Sequence, residues 1–253
     1  NRDDPRIFKI SEHIQAKKAF FGTTSELLQL MPTDDTLKYG TAVANQSVAA
    51  DVLLKKINTQ QATFQIDNKE IDVDLQLTGV YNLLNAAAAV ALARQIAGPE
   101  ITDTILSALE NIKPAFGRGE TIYLNGTPIE LILVKNPSGF RLALLSFAKN
   151  NSATMIAVND NYADGRDVSW FWDVDFSLLK TVAMISGARA YDMALRLQYD
   201  DIPIGEIDTN ISKALEDFIN TNPDEPKQIF CSYTVMTTIR RLLSEKTDVE
   251  EIS

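Results

Sequence analysis

Acidic residues and tryptophans are concentrated in one connection of the chain, residues 159–176. This segment holds five Asp, two Asn and both Trp residues, and it directly follows the apolar run Met155–Val158. An apolar run that ends in a polar loop is typical of a buried parallel strand, and open α/β folds place their ligands at the carboxyl ends of such strands. The loop is therefore a candidate functional site. The alternative is a turn-rich connection in which the carboxylates cap backbone amides and the tryptophans fill the core.

Cys231 and His13 are each the only residue of their kind in the chain. A single cysteine and a single histidine exclude an intrachain disulfide and a Cys/His zinc cluster built from this chain alone. Cys231 lies in the apolar segment 228–233, which predicts a buried strand and an inert thiol. His13 lies in a polar segment and is expected to be exposed, so a Cys-His catalytic pair is disfavoured.

Composition limits the class of protein. The chain has 253 residues, of which 45% are hydrophobic and 23% charged, enough for one large or two modest globular domains. Its formal net charge of -10 would repel a phosphate backbone, which argues against a nucleic-acid partner. No apolar run approaches the ~20 residues needed to span a bilayer, and no signal-like start is visible, so we expect a cytoplasmic protein. The chain begins at Asn1 without a methionine, and we expect it to be a fragment or the ordered portion of a longer protein.

The pattern of apolar residues divides the chain near residue 115. After this point, Asn125-Gly126 predicts a two-residue hairpin between strands at 121–124 and 128–134. Further strand-like runs are interleaved with helical runs, and this alternation predicts parallel strands with crossover helices in a Rossmann-like sheet. The predicted strands are 130–134, 154–158, 181–185 and 228–231, and the predicted helices are 140–148, 188–197, 211–219 and 235–243.

The first part of the chain is less regular. An Ala-rich helix is predicted over residues 79–95 and an amphipathic helix over 102–111. Alternating apolar residues between 63 and 78 predict a hairpin around Asp67-Asn68. The predicted fold class of the whole chain is therefore α/β.

Several short motifs carry a resemblance to the Mur ligases, the ATP-dependent enzymes of peptidoglycan precursor synthesis. Four of them occur in the order and spacing of that family: Asn1–Pro5, Gly79–Ala86, Phe116–Glu120 and Lys135–Gly139. Three more resemble the MurT type, the ligase-like subunit of lipid II isoglutaminyl synthase: Asp164–Trp170, Ser186–Leu197 and Tyr233–Met236. The resemblance implies that residues 1–115 form the C-terminal part of a Mur ligase middle, ATPase domain. Residues 116–253 would form the C-terminal, MurT-type domain.

The resemblance also implies a reaction. A bacterial, cytoplasmic MurT-like subunit would use ATP and Mg²⁺ to convert the α-carboxylate of D-glutamate in lipid II into D-isoglutamine, through an acyl phosphate. Ammonia would come from a GatD-like glutaminase partner, and the ligands of Mg²⁺ would lie mostly outside this chain, which alone is expected to be inactive. Two alternatives remain: an amino-acid-adding Mur ligase, and a non-catalytic module that binds a nucleotide or a partner. The aspartate and the histidine that the superfamily carries near the position of Lys135 are missing, which argues against the first.

By this resemblance, the nucleotide-binding residues include Asn82, Asn85 and Arg118. The two amides are three positions apart on one helix and would contact the adenine, since an amide both donates to and accepts from a purine edge. Their alternative role is helix capping. The planar guanidinium of Arg118 would reach the ATP phosphates, whereas a Gly-Arg-Gly segment also describes a hinge with a solvated charge.

Lys135, Asn136 and Ser138 lie between a predicted strand and a predicted helix, where backbone amides could receive an anion or a ribose hydroxyl. The family's glycine-rich phosphate loop is absent from the chain. The four-cysteine zinc ribbon common in MurT proteins is also not visible, because residues 34–51 contain no cysteine.

Asp164 and Asp167 are the candidate catalytic residues of the acidic loop. The resemblance implies that one aspartate of the ligase subunit completes the Cys-His pair of the partner glutaminase, as the third member of a triad does. Both flank the Gly165-Arg166 turn, and the sequence does not separate them. The ordinary alternative is that one caps the loop while the other contacts only water.

Overall fold

The chain forms two compact units, Asn1–Pro114 and Ala115–Ser253. The structure, a computed structural model, describes residues 1–30, 48–58, 61–77, 79–113, 117–149 and 151–249. The cysteine-free segment at residues 34–40 and the predicted boundary between residues 115 and 116 lie outside the described residues.

The first unit contains a mixed four-stranded sheet in the order β1-β2-β3-β4, in which β1 and β2 are parallel and the other pairs antiparallel. Its elements are α1 (Pro5–Glu12), β1 (Phe21–Thr23), α2 (Ser25–Leu30), β2 (Val52–Ile57), β3 (Gln61–Ile66), β4 (Lys69–Asp74), α3 (Val80–Ala97), a 3₁₀ turn (Pro99–Ile101) and α4 (Thr102–Glu110). Asp67 and Asn68 form the turn between β3 and β4 with positive φ angles of 50° and 62°, which confirms the predicted hairpin. The Ala-rich α3 packs against β1 and β2, since small side chains allow a helix to approach a sheet closely.

The second unit contains a six-stranded sheet in the order β5-β6-β10-β7-β8-β9. Its elements are β5 (Arg118–Leu124), β6 (Thr127–Leu133), α5 (Pro137–Phe147), β7 (Ala153–Ala157), a 3₁₀ helix (Ser169–Asp173), β8 (Val182–Ser186), α6 (Ala190–Tyr199), β9 (Ile204–Asp208), α7 (Ile211–Asn220), β10 (Lys227–Cys231) and α8 (Tyr233–Ser244). All neighbouring strands are parallel except the β5-β6 hairpin, whose turn residues Asn125 and Gly126 have φ angles of 51° and 86°. The predicted mostly parallel sheet is therefore confirmed.

Both faces of the second sheet are covered by buried side chains. Ile229 and Cys231 of β10 belong to the cluster that packs under α7 and α8, whereas Phe230 between them stacks on Phe140 of α5, with ring centroids 5.7 Å apart. Successive side chains of a strand point to opposite faces, so this alternation fixes the register of β10. With both faces covered, the carboxyl ends of β7, β8 and β10 form the accessible edge, and the acidic loop starts there.

Candidate functional site

Asp164 holds the acidic loop against the start of α8. Its side chain is 5% exposed, and its carboxylate accepts hydrogen bonds from the backbone N–H of Thr234 (2.7 Å), the Thr234 hydroxyl (2.6 Å) and the backbone N–H of Asn161 (3.2 Å). The first turn of a helix leaves backbone N–H groups without intrahelical partners, and a carboxylate there is also stabilised by the helix dipole. The N-cap residue Ser232 does not cap α8 with its own side chain; its hydroxyl accepts from the N–H of Asn159 (3.0 Å). Asp164 therefore caps α8 from another part of the chain.

The hydroxyl of Thr234 collects several of these contacts. It donates to Asp164 and accepts from the side-chain amides of Asn159 and Asn161, each at 3.1 Å. One donated and two accepted bonds use the full hydrogen-bonding capacity of a hydroxyl. We call Asp164, Thr234, Asn159 and Asn161 the Asp164 clamp, since together they fix the base of the loop.

Asp167 has a different environment. Its side chain is exposed, and its carboxylate accepts from the backbone N–H of Ser169 (2.8 Å), which begins the 3₁₀ helix. Hydrogen bonding to the Ser169 hydroxyl and backbone N–H lowers the pKa of Asp167, so this carboxylate is ionised at neutral pH. The structure thus separates the two aspartates: Asp164 is buried in the clamp, and Asp167 is presented to solvent.

The base of the loop is also tied to α6. Asp160 forms an ion pair with Arg189 (2.7 Å), and this hydrogen bond lowers the pKa of Asp160. The Asn159 side-chain oxygen accepts from the backbone N–H of Ala188 (2.9 Å). Gly187 turns the chain with φ 92°, where a Cβ would lie 2.3 Å from the Val158 carbonyl oxygen. The starts of two helices therefore determine where the loop leaves the sheet.

The two tryptophans of the loop have different surroundings. Trp170 is half-buried, with its ring 4.6 Å from that of Phe171 and 6.2 Å from that of Phe140. Trp172 is 50% exposed and contacts Tyr199 of α6 edge to face at 5.0 Å. Trp170 thus extends the core, as in the turn-rich alternative, whereas Trp172 remains on the surface.

Asn82 and Asn85 lie one turn apart in the first unit, near the start of α3. Asn82 is 8% exposed, and its backbone N–H donates to the carbonyl of Gly79 (3.1 Å), which has φ 85°. Asn85 is exposed. The burial of the two amides therefore differs, and Asn85 is the one that solvent reaches.

Arg118 is an exposed residue at the start of β5, where it pairs with Ile132 of β6. The preceding Gly117 has φ 65°, and its backbone N–H donates to the carboxylate of Glu120 (3.2 Å). Glu120 in turn forms a buried ion pair with Arg240 of α8. Arg118 thus begins an anchored strand of the second unit.

Lys135, Asn136 and Ser138 surround the start of α5. Asn136 is the N-cap: its side-chain oxygen accepts from the backbone N–H of Gly139 (2.7 Å), and Pro137 occupies the first helical position. Lys135 is exposed and Ser138 is partly buried. The Asn136 oxygen therefore has a structural role, and a ligand-binding role for these three residues stays a prediction.

Sequence reasoning missed the central position of Thr234 and the contribution of Arg189. Both follow strands whose carboxyl ends lie beside that of β7, since Thr234 comes shortly after β10 and Arg189 shortly after β8. Polar residues that follow neighbouring parallel strands meet at one edge. That signal needs the strand order, which the sequence alone does not provide.

Neither a metal-binding cluster nor a membrane-spanning helix occurs among the described residues. No group of three or more His, Cys, Asp or Glu side chains there has an arrangement that could hold a metal ion. Within the same part of the chain, no helix has the length and apolar character needed to cross a membrane.

Comparison with known proteins connects the second unit to one family. Residues 133–236 match the MurT ligase C-terminal domain. The chain is 30% identical over 201 residues to the lipid II isoglutaminyl synthase (glutamine-hydrolyzing) subunit MurT of Streptococcus pneumoniae, an alignment that covers 76% of this chain and 44% of that protein. The chain thus spans less than half the length of this relative.

Solved structures share the fold. The pseudomurein peptide ligase type C from Methanothermus fervidus superposes with a TM-score of 0.61 at 16% identity, covering 80% of this chain and 43% of that one. The MurF ligase from Thermotoga maritima, solved in complex with ADP, gives a TM-score of 0.56 at 17% identity, covering 78% and 46%. At these identities the likeness establishes the Mur ligase fold alone.

Proposed function

We propose that this chain is part of the ligase subunit of a lipid II isoglutaminyl synthase, because residues 133–236 match the MurT ligase C-terminal domain and the chain is 30% identical over 201 residues to a MurT subunit. The observation that carries the proposal is the extent of the family match: residues 133–236 include the whole acidic loop, all of α6 and the start of α8. The elements that position Asp167 are therefore those that the family shares.

The proposed reaction replaces one oxygen of a carboxylate with nitrogen. ATP, as co-substrate, transfers its terminal phosphoryl group to the α-carboxylate of D-glutamate and leaves as ADP. Ammonia then attacks the acyl carbon of the acyl phosphate, inorganic phosphate leaves, and the nitrogen loses a proton to give the amide. A carboxylate is a poor acyl donor, so the phosphoryl transfer supplies the leaving group.

Three residues are proposed for the nucleotide. Asn85, which is exposed, and Asn82 offer amides suited to a purine edge. The exposed guanidinium of Arg118 suits the phosphates, since its charge is permanent and its fork is planar. The described residues offer no carboxylate cluster that could hold Mg²⁺.

Asp167 is proposed as the residue that completes the Cys-His pair of a GatD-like glutaminase. Such a residue must reach the imidazole of another subunit, must be ionised, and must keep its position. Asp167 is exposed and has a lowered pKa, and the Asp164 clamp fixes the base of its loop. Asp164 lacks the first property because it is buried under α8.

The test is Asp167→Asn in the complete gene product, purified with the GatD-like glutaminase of the same organism. We expect glutamine-dependent amidation of lipid II to fall by on the order of 10⁴-fold, as when a triad loses its orienting carboxylate. Amidation driven by added ammonium should persist, because the ligase chemistry does not need that carboxylate.

Asp175→Asn is the matched control. Asp175 is another exposed aspartate of the same loop, and it accepts from the backbone N–H of Ser177 (2.9 Å) as Asp167 does from Ser169. The control should keep both activities. Equal loss with glutamine and with ammonium in Asp167→Asn would contradict the assignment, and so would an equal effect of Asp175→Asn.

A further inference from the structure

We propose that α6 carries a docking surface for the glutaminase subunit, formed by Tyr191, Leu195, Tyr199 and the neighbouring Trp172. We call these four residues the aromatic stripe. The inference rests on the proposed function for the identity of the partner, and it adds the surface that would bind it.

Three members of the stripe lie on one face of α6. Tyr191, Leu195 and Tyr199 are spaced four residues apart, and their exposed fractions are 67%, 50% and 71%. Residues four apart in an α-helix lie above one another, so these side chains form a continuous row about 12 Å long. The opposite face of α6 is buried, with Met193 and Leu197 fully inaccessible. The helix is therefore apolar on both its inward and its outward face.

Trp172 widens the row at its C-terminal end. Its ring lies 5.0 Å from that of Tyr199, and the Arg196 guanidinium lies 5.6 Å from the Trp172 ring. Arg196 is itself fixed, since it donates to the Phe171 carbonyl (3.1 Å) and to Asp200 (2.6 Å). A surface aromatic held in this way loses little conformational freedom when a partner covers it, which favours binding.

Contiguity distinguishes the stripe from ordinary surface residues. Single exposed apolar side chains are common on soluble proteins, whereas adjoining ones indicate a surface that another molecule covers. Tyrosine and tryptophan are also the side chains that contribute most to binding energy at protein interfaces. The stripe combines these two features on a helix that is otherwise packed into the core.

The charged residues around the aromatic stripe favour a basic partner over a second copy of this chain. Exposed carboxylates stand beside its members: Asp173 follows Trp172, Asp192 follows Tyr191, and Asp201 lies two residues after Tyr199.

The nearest cations of α6 are already paired, Arg189 with Asp160 (2.7 Å) and Asp192 (3.5 Å), and Arg196 with Asp200 (2.6 Å). An acidic rim around an apolar centre fits a partner that brings lysines or arginines around an apolar patch. A second copy of this chain would bring the same acidic rim and a net charge of -10, and would be repelled.

The position of the stripe agrees with a glutaminase as occupant. The Asp160–Arg189 ion pair joins the start of α6 to the base of the acidic loop. A subunit seated on the stripe would therefore also cover the neighbourhood of the loop that carries Asp167. One contact surface would then provide both the attachment and the catalytic carboxylate.

The test uses Tyr191→Ser and Tyr199→Ser, singly and together, in the complete gene product. Titration calorimetry with the purified GatD-like glutaminase should show each single variant binding roughly 10- to 100-fold more weakly than the wild type, as expected for aromatic residues at the centre of an interface. Binding should also weaken as the salt concentration rises, because the rim is charged. Amidation driven by ammonium should be retained in every stripe variant.

Tyr123→Ser is the matched control. Tyr123 is 61% exposed and lies on β5, the edge strand opposite to β9, so it is far from α6 in the strand order. The affinity of the Tyr123→Ser variant for the glutaminase should lie within about twofold of the wild-type affinity, since surface substitutions usually have small effects.

Stripe variants that bind the glutaminase as tightly as Tyr123→Ser would overturn the inference while leaving the proposed function intact. Self-association of the wild type that the stripe variants abolish, measured by sedimentation, would overturn it in favour of a second copy. A wild type that captures no glutaminase would overturn both proposals.

Discussion

At the residue scale, the hydroxyl of Thr234 makes three hydrogen bonds to the base of the acidic loop. It joins Asp164, Asn159 and Asn161, while the backbone N–H of the same residue bonds Asp164 independently. The two contacts can therefore be separated by substitution. Valine at position 234 removes the hydroxyl and keeps the N–H, and serine restores the hydroxyl with a smaller side chain.

We expect Thr234→Val to lower the free energy of unfolding by about 1–3 kcal/mol, because the buried Asp164 carboxylate loses one of its three donors and the side-chain amides of Asn159 and Asn161 lose their acceptor. Glutamine-dependent amidation should fall as the loop loses its position, and ammonium-driven amidation should stay close to wild type. Thr234→Ser should recover both properties. Urea denaturation and paired assays with the two nitrogen sources measure them, and a valine variant as active and stable as the serine variant would show that the clamp does not position the loop.

Arg118 should act at the phosphoryl-transfer step and not at ammonia supply. Arg118→Ala in the complete gene product is expected to lower turnover equally with glutamine and with ammonium, and one preorganised donor is typically worth ~3 kcal/mol of transition-state stabilisation. Arg118→Lys should recover only part of the rate, since a point charge lacks the planar fork. Steady-state kinetics test this, and unchanged kinetics in the alanine variant would leave Arg118 with a structural role at the start of β5.

The environment of a residue could be predicted from the sequence only where it depends on residues that are close in the sequence. The predicted burial of Cys231 is confirmed: its side chain is fully buried, and burial raises the pKa of the thiol. Asp164 and Asp167 could not be separated, because the residue that donates two hydrogen bonds to the Asp164 carboxylate is Thr234, which is 70 positions away in the sequence. Nothing near the Gly165-Arg166 turn encodes that contact.

At the scale of elements, the connection from β8 to α6 depends on Gly187. Its φ of 92° is unfavourable for residues with a side chain, and an added Cβ would lie 2.3 Å from the Val158 carbonyl oxygen. Gly165 has a similar φ of 96° but no atom within 4 Å of the position a Cβ would take. Substituting each glycine by alanine therefore separates two contributions to the free energy of unfolding: the unfavourable φ angle, which both positions share, and the steric clash, which occurs only at Gly187.

We expect Gly165→Ala to lower the free energy of unfolding by about 1 kcal/mol, the cost of the left-handed conformation. Gly187→Ala should cost clearly more, because the backbone at the end of β7 must also move. Chemical denaturation of both variants measures the difference. Equal costs would mean that the β8–α6 connection relaxes freely and that its close contact with Val158 does not fix the start of α6.

Elements with local sequence signals were predicted, and elements that depend on distant partners were missed. Both predicted hairpins carry turn residues that tolerate positive φ, Asp67-Asn68 and Asn125-Gly126, and both are present. Strand β9 has no continuous apolar run, since Gly205 and Glu206 lie within it and are exposed, and among the strands that the structure describes it pairs with β8 alone, at the edge of the sheet. Strand β1 is three residues long and is defined by its pairing with β2. Such strands become evident only once their neighbours are in place.

At the scale of the whole molecule, the two units have separate cores and different proposed tasks. The residues proposed for adenine lie in the first unit, while Arg118, the acidic loop and the aromatic stripe lie in the second. Since the chain spans 44% of the S. pneumoniae relative, the activity has to be measured on the complete gene product.

The most direct test of the account is the product formed from lipid II. The complete gene product and the GatD-like glutaminase of the same organism should be incubated with purified lipid II, ATP and glutamine, and the stem peptide analysed by fragmentation mass spectrometry. We predict a carboxamide in place of the α-carboxylate of D-glutamate, formed only when ATP and either glutamine or ammonium are present. A stem peptide lengthened by an amino acid would identify an amino-acid-adding ligase instead, and unchanged lipid II under all conditions would contradict the proposed function.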